Sequence, residues 1–453
     1  MTAREIAYDV LKRWKPRSAH ATKALDEWFS RHEISAADRA LATELVHGVM
    51  RRRDTLSALL RPHVNRPLSQ VEAGALTLLW LGAYQLVLLS GIPPYAVVNE
   101  MVELAKRSGN PQWGGFINGV LRSLGRAVPD ELLTHPAANA VPLARGKYRA
   151  VHADTFPDPL REWPGWFAAA FSLPRWLVER WQARFSHDEL MRLGFWFNAP
   201  AKMYLRANRL RTTRDELLKA LEVAGITASA GTQPDAIRLD ESTFVQKLPG
   251  FDEGWFAVQD ESAIAAAVLL DPQPGERVLD LCAAPGGKTT HLAALMKNEG
   301  RIVATDVDAD RLRRVEDSCR RMGVTIAETR VLPRDSVNLH GETFDRILLD
   351  VPCSNTGVLG KRPEVRWRLR PEDLVELPAL QTRLLHSACQ LLAAGGSLLY
   401  STCSIEPDEN RAVVDRVLRD RPELSLVREV HHIPGRPADG GYQALLRREM
   451  NTS

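Results

Sequence analysis

The chain has 453 residues, enough for two or three domains, and its 45% hydrophobic content is that of a globular protein rather than a disordered or fibrous one. Five cysteines over that length exclude a disulfide-stapled scaffold. The net charge is +3, but residues 1–130 hold 17 Lys+Arg against 12 Asp+Glu, a basic front that suits either a polyanion partner or an ordinary solvated surface.

Met1-Thr2-Ala3-Arg4-Glu5 runs directly into an amphipathic pattern, so no signal peptide is expected and the protein is read as cytoplasmic. Ile6, Val10 and Leu11 sit at helical spacing, as do Leu41, Leu45, Val46, Val49 and Met50, with Ser35 as an N-cap candidate. Ala73 to Leu89 is apolar but short for a membrane span and interrupted by Thr77, Tyr84 and Gln85, which predicts a buried helix of a bundle. A further helix is expected over Ala96 to Lys106, between Pro93-Pro94 and Gly109-Asn110-Pro111. The first ~130 residues thus read as an all-helical bundle.

Prolines at 129, 136, 142, 157, 159, 164 and 174 break any long helix, so 131–172 reads as a proline-rich connector. A helix start at Pro174 and an alternating run from Met203 to Asn208 predict a small α/β module over 173–250. From about 275, β-rich runs at Arg277 to Leu281, Arg301 to Thr305, Arg346 to Leu349 and Ser397 to Thr402 alternate with helical patterns such as Asp310 to Met322 and Gln381 to Leu392. That alternation predicts a doubly wound, Rossmann-like parallel sheet over 251–453, whose ligands bind beyond the carboxyl ends of the strands. Asp280, Asp306, Asp350 and Cys403 fall at those ends.

The turn after the first of these strands is Cys282-Ala283-Ala284-Pro285-Gly286-Gly287-Lys288. Glycines there let backbone N–H groups approach a ligand, and a helix N-terminus favours negative charge. A phosphate P-loop needs glycine where Cys282 stands, and the Gly-x-Gly-x-x-Gly dinucleotide fingerprint is absent. The remaining reading is S-adenosylmethionine. Asp306 lies 20 residues after Gly286, where a carboxylate accepts from ribose hydroxyls, and Asp335 is a candidate for the adenine.

Two thiols, in Asp350-Val351-Pro352-Cys353 and Ser401-Thr402-Cys403, each follow a predicted strand. A cytosine C5 is a poor nucleophile; a thiolate added at C6 makes it enamine-like and able to attack a sulfonium methyl. Asp350 is placed to meet the N3/N4 edge, and the sequence alone does not rank Cys353 and Cys403. Cys319 and Cys389 lie on apolar helical stripes and read as core residues. No Cys-x-x-Cys pair occurs, and no metal site is expected. Lys361-Arg362-Pro363-Glu364-Val365-Arg366-Trp367-Arg368-Leu369-Arg370 reads as a phosphate-contacting and base-stacking run, with Arg51-Arg52-Arg53 and Arg206 to Arg211 as weaker RNA candidates.

With these motifs the chain resembles bacterial RNA (cytosine-C5)-methyltransferases of the RsmB (Sun/Fmu) type, in the NOL1/NOP2/Sun family. The resemblance rests on Asp280 to Thr289, Asp350-Val351-Pro352-Cys353-Ser354, Ser401-Thr402-Cys403-Ser404 with the acidic Glu406-Pro407-Asp408-Glu409-Asn410 after it, and Val258-Gln259-Asp260-Glu261-Ser262. It implies a NusB-like RNA-binding domain over 1–130, an RRM-like module over 173–250 and a methyltransferase domain over 251–453. It implies Cys403 as nucleophile, Cys353 as an aid to product release, and cofactor contacts at Cys282, Ala283, Ala284, Pro285, Gly286, Gly287, Lys288, Asp306, Asp335 and Asp350. The implied substrate is a cytosine of 16S, small-subunit, ribosomal RNA, the expected form a monomer with no membrane partner. By the resemblance alone, the helical front and the lack of an add-on after Arg448 lead to the expectation of small-subunit rather than transfer or large-subunit RNA. Asn355 departs from the family's small residue at that position. A non-catalytic RNA-binding or antitermination factor is the rival from another class.

Overall fold

The computed structural model describes residues 2–14, 21–241, 243–333, 337, 339 and 341–450. Two compact units divide it, residues 1–201 with 359–371, and residues 202–358 with 372–453.

The first unit opens with helices α1 (Ala3–Arg13), α2 (Ala21–Arg31), α3 (Ala36–Leu60), α4 (Ala73–Val87), α5 (Pro94–Arg107) and α6 (Gly114–Arg126). Thr2 and Glu5 close a capping box on α1, and the Ser35 hydroxyl accepts from the Asp38 N–H at the start of α3. Leu78, Leu79, Leu81 and Val87 of α4 are buried in the bundle, as the predominant apolarity of this stretch requires. Among the described residues no helix is long and apolar enough to cross a membrane.

The stretch expected to be a proline-rich connector carries regular structure instead. Strands β1 (Leu132–Leu133), β2 (Ala140–Ala144) and β3 (Lys147–Ala150) pair antiparallel in the order β1-β3-β2, and α7 (Trp163–Phe171) follows. The prolines are compatible because Pro142 sits in an edge strand and Pro164 in the first turn of α7, where no backbone N–H is missed. Trp166, Phe167 and Phe171 of α7 are fully buried, and that aromatic surface fixes the segment. Helices α8 (Arg175–Gln182) and α9 (His187–Asn198) complete this part of the unit.

The second unit begins with β4 (Met203–Ala207), α10 (Arg214–Val223), β5 (Ala228–Ala230), β6 (Ala236–Leu239) and β7 (Phe256–Val258), an antiparallel sheet ordered β5-β6-β4-β7. Next come α11 (Glu261–Leu270), β8 (Arg277–Leu281), α12 (Gly287–Leu295), β9 (Arg301–Asp306), α13 (Ala309–Met322), β10 (Ala327–Val331) and β11 (Phe344–Asp350). The chain then returns to the first unit through a short helix, α14 (Val365–Arg368). It finishes with α15 (Asp373–Gln390), β12 (Leu392–Thr402), α16 (Arg411–Asp420), β13 (Leu424–His432) and β14 (Gly441–Arg448).

These strands form one seven-stranded sheet, β10-β9-β8-β11-β12-β14-β13. The first five are parallel, but β14 runs antiparallel to both β12 and β13. The sheet is therefore mixed where a wholly parallel one was expected; the short link from His432 to Gly441 allows a hairpin and leaves no room for a crossover helix. Leu279, Ile347 and Leu398 lie in register and face one core, under α15 and α16, while Leu348 and Leu399 face the other, with α11, α12 and α13. This alternation buries both faces, each such leucine contributing about 1.5–3 kcal/mol. Between β8 and β11 the strand order reverses, which opens a crevice at the carboxyl edge.

Candidate active site

Four strand ends meet at that edge. Cys282 follows β8, Asp306 ends β9, Asp350 ends β11 and Cys403 follows β12. Ala283, Ala284, Pro285 and Gly286 form the turn after β8, and Gly287 and Lys288 begin α12. Gly286 has φ +99°, and a Cβ there would meet the Val315 Cα at 3.0 Å, so glycine is required. The turn is fixed from outside: the Ala283 N–H donates to the Thr305 carbonyl at 2.8 Å, Ser318 Oγ to the Pro285 carbonyl at 3.2 Å, and Arg311 to both Asp306 and the Ala284 carbonyl. Asp335 lies outside the described residues.

Asp280 Oδ1 and Asp306 Oδ2 are buried and have no hydrogen-bond partner among the described residues. The other Asp280 oxygen accepts from Thr289 Oγ1 at 2.6 Å. Burial pushes the Asp280 carboxyl up to about 7, against the pull of Thr289 and Lys288. A native protein that holds this proton where the unfolded chain has lost it is less stabilised as pH rises from about 4 to about 7. Urea titrations of Asp280→Asn should show a flatter pH dependence across that window than the parent; an unchanged slope would contradict the assignment.

Lys288 Nζ pairs with Asp350 Oδ2 at 2.6 Å. Burial opposes its charge, but Asp350, then Cys403 and Asp280, outweigh it and hold the ammonium above the ordinary lysine value. Cys353 Sγ and Cys403 Sγ are 3.2 Å apart, and Cys403 Sγ lies 3.3 Å from Asn355 Oδ1. Asn355 adopts φ +62° and donates to the Cys353 carbonyl at 2.6 Å, so the residue flagged as unusual shapes the Pro-Cys turn. The hydrogen bond to Cys403, reinforced by burial, raises the Cys353 thiol well above its usual range. Cys282, the third sulfur nearby, is pushed up to about 12 by burial and is a poor nucleophile. Cys319 and Cys389 are core residues.

Glu409 went unrecognised in the sequence beyond its place in an acidic motif. It is fully buried, and it joins the two thiol-bearing turns. Its Oε1 accepts from the Ser354 N–H at 2.8 Å and Gln381 Nε2 at 2.9 Å, and its Oε2 from the hydroxyls of Ser354 and Ser404. A second support was missed for the opposite reason. Arg206, expected to touch RNA, is fully buried and donates to the Gly287 carbonyl at 3.2 Å and Thr290 Oγ1 at 2.9 Å, pinning the first turn of α12.

Within the basic run 361–370, Arg366 and Trp367 also depart from expectation, while Arg362 and Arg370 are exposed. Arg366 is buried and donates to the carbonyls of Arg51 (2.8 Å), Phe171 (3.1 Å) and Phe197 (2.6 Å) and to Asn198 Oδ1 (2.7 Å). It caps the carboxyl ends of α7 and α9, where orphan carbonyls attract a cation. Trp367 Nε1 donates to the Met50 carbonyl at 3.1 Å, with Arg53 stacked 3.9 Å from its ring. Arg51 and Arg52 are buried as well. Arg366 and Trp367 anchor this segment within the helical unit and do not present themselves to a phosphate or a base.

A sheet of this order, with a glycine turn after its first strand and a buried, unsatisfied carboxylate ending the second, is that of an S-adenosylmethionine-dependent methyltransferase; the open acceptors fit a hydroxyl-bearing ribose. Residues 267–444 match the 16S rRNA methyltransferase RsmB/F family, 1–126 the NusB family and 173–246 the RsmF/B-like ferredoxin-like domain. The chain belongs to the RsmB/F family of methyltransferases. It is 40% identical to ribosomal RNA small subunit methyltransferase B of Sodalis glossinidius, over 87% of this chain and 84% of that one. Identity to the probable ribosomal RNA small subunit methyltransferase B of Bacillus subtilis is 33%, over 93% and 89%. The crystal structure of PH0851 matches with a TM-score of 0.78 at 27% identity, covering 99% of both chains. NSun6 from Pyrococcus horikoshii, solved with an S-adenosylmethionine analogue, shares the fold at 21% identity and a TM-score of 0.56, over 61% of this chain and 98% of its own. The cofactor is S-adenosylmethionine.

Proposed function

We propose that this protein methylates C5 of a cytosine in small-subunit ribosomal RNA through a covalent bond between Cys403 and C6 of the base. The thiol pair carries the reading: two sulfurs 3.2 Å apart at neighbouring strand ends, beside the Asp350–Lys288 pair. One nucleophile suffices for addition; a second thiol in contact with it suits a reaction that must also undo its own covalent bond. The relatives named as small-subunit ribosomal RNA enzymes support the substrate class. The NusB-like and ferredoxin-like parts are assigned to holding the RNA.

S-adenosylmethionine supplies an electrophilic sulfonium methyl. Asp306 would accept from the ribose hydroxyls, and the turn from Cys282 to Lys288 would hold the amino-acid end. The Asp350 carboxyl meets the N3/N4 edge of the cytosine. The Cys403 thiolate adds to C6, and the displaced electron pair gives C5 the character of an enamine carbon. Once C5 is methylated its proton passes to solvent water, the C–H electron pair re-forms the C5–C6 double bond, and the C6–S bond breaks with its electrons returning to the Cys403 sulfur. Cys353 assists that last step. A cytosine inside a helix hides C6, so the target base is unpaired or flipped out.

The test is to incubate the protein and S-adenosylmethionine with unmodified small-subunit RNA and analyse nucleosides by mass spectrometry. Appearance of 5-methylcytidine is expected; a methyl on N4 or on a 2′-hydroxyl would sink the proposal. For the cofactor, Asp306→Ala should weaken S-adenosylmethionine binding about 10- to 100-fold by calorimetry, the loss of charge-assisted hydrogen bonds. Unaltered affinity would remove Asp306 from the ribose.

A further inference from the structure

The sequence left the two thiols unranked, and symmetry of position leaves them so: both follow adjacent parallel strands, and they touch. Their electrostatic surroundings differ. Glu409 is bonded to the residue directly after Cys353, through both the N–H and the hydroxyl of Ser354. On the other side, Cys403 is within electrostatic reach of the Lys288 ammonium. All four groups bonded to Glu409 have a proton to give: two amide N–H groups on one oxygen and two hydroxyls on the other. Burial raises the Glu409 carboxyl above its ordinary value, and these four donated hydrogen bonds pull the other way, toward the ionised carboxylate.

We infer that Glu409 is a positioning residue that decides which sulfur attacks: its buried negative charge keeps the proton on Cys353, so that Cys403 is the thiolate. This rests on the proposed covalent mechanism and adds to it the origin of the thiol order. One carboxylate does two jobs. It ties the Pro-Cys turn to the Thr-Cys turn through Ser354 and Ser404, which sets the sulfur–sulfur distance, and it makes the two ends of that contact unequal. The resulting S–H on Cys353 points its proton at the sulfur that adds to C6 and later leaves, so the proton that favours departure is already in place. The raised Cys353 thiol owes most to the Cys403 contact and to burial, and the Glu409 charge adds to them. Also in reach of the pair are Lys288, which is paired with Asp350, the Asn355 Oδ1 that accepts from Cys403 Sγ at 3.3 Å, and the Tyr400 hydroxyl, which donates to the Glu409 carbonyl at 2.6 Å.

The experiment reads Cys353 directly, without RNA. In a Cys403→Ala background, the rate of Cys353 alkylation by iodoacetamide is followed by peptide mass spectrometry across a pH series, with Glu409 intact, as Glu409→Gln and as Glu409→Asp. Glutamine keeps the volume and an acceptor oxygen but removes the charge; aspartate keeps the charge but shortens the tie. The alkylation midpoint should fall by about one pH unit in Glu409→Gln, a tenfold change in the ionisation constant, and stay near the parent value in Glu409→Asp. A midpoint unmoved in Glu409→Gln, or lowered equally in both, overturns the inference. Should the glutamine variant not fold, the aspartate variant decides alone, a lowered midpoint counting against the charge. None of these readings depends on methyl transfer, so a failure here leaves the proposed reaction standing, and a missing 5-methylcytidine leaves this titration interpretable.

Discussion

Cys403→Ala loses turnover by about four orders of magnitude or more, because removal of a covalent nucleophile takes away the addition step itself and leaves only positioning. Affinity for S-adenosylmethionine is expected to persist in this variant, because the cofactor turn is held by Thr305, Ser318 and Arg311. A filter assay with labelled methyl donor and calorimetry on the same preparation read the two halves of the prediction. Normal methylation in the variant would dismiss Cys403 as nucleophile, and a lost calorimetric signal would mean that the fold had been disturbed.

Cys353→Ala has a different signature. Turnover drops by about 10²- to 10⁴-fold, the range for a proton-handling group, but the protein does not merely stall. The Cys403–C6 bond still forms, while its breakage loses the neighbouring thiol, so a covalent protein–RNA species accumulates. A denaturing gel with labelled RNA shows it as a retarded band that vanishes in the Cys353→Ala, Cys403→Ala double variant. Normal turnover with no retarded band would remove Cys353 from the release step. The 3.2 Å contact makes the pair a unit, so the single effects do not add.

That the side chains proposed for the chemistry would meet at one edge was legible because each stands at a place where chain grammar changes. Asp280 lies near the end of its β-rich run, Asp306, Asp350 and Cys403 follow theirs, and a parallel sheet brings such points to one edge whatever lies between. What holds them was not legible. Glu409 and Arg206 look in sequence like surface charges, and only tertiary contacts reveal a carboxylate shared by two turns or a guanidinium under the first turn of a helix. Arg366 and Trp367 misled for a related reason: a cation beside an aromatic residue is the composition of an RNA contact, and also that of a helix-capping plug. The proline-rich stretch was misjudged because proline restricts helices while allowing edge strands, and the buried aromatics of α7 outweigh local propensity.

Family boundaries follow one another neatly along this polypeptide, but Arg366 makes dissection at those boundaries hazardous. A fragment starting at Lys202 would keep the excursion through residues 359–371 and discard the carbonyls of Arg51, Phe171 and Phe197 that receive its guanidinium. An arginine and a tryptophan would then be left without those partners in the segment between β11 and α15, so a fragment cut there is expected to be less stable than the whole chain.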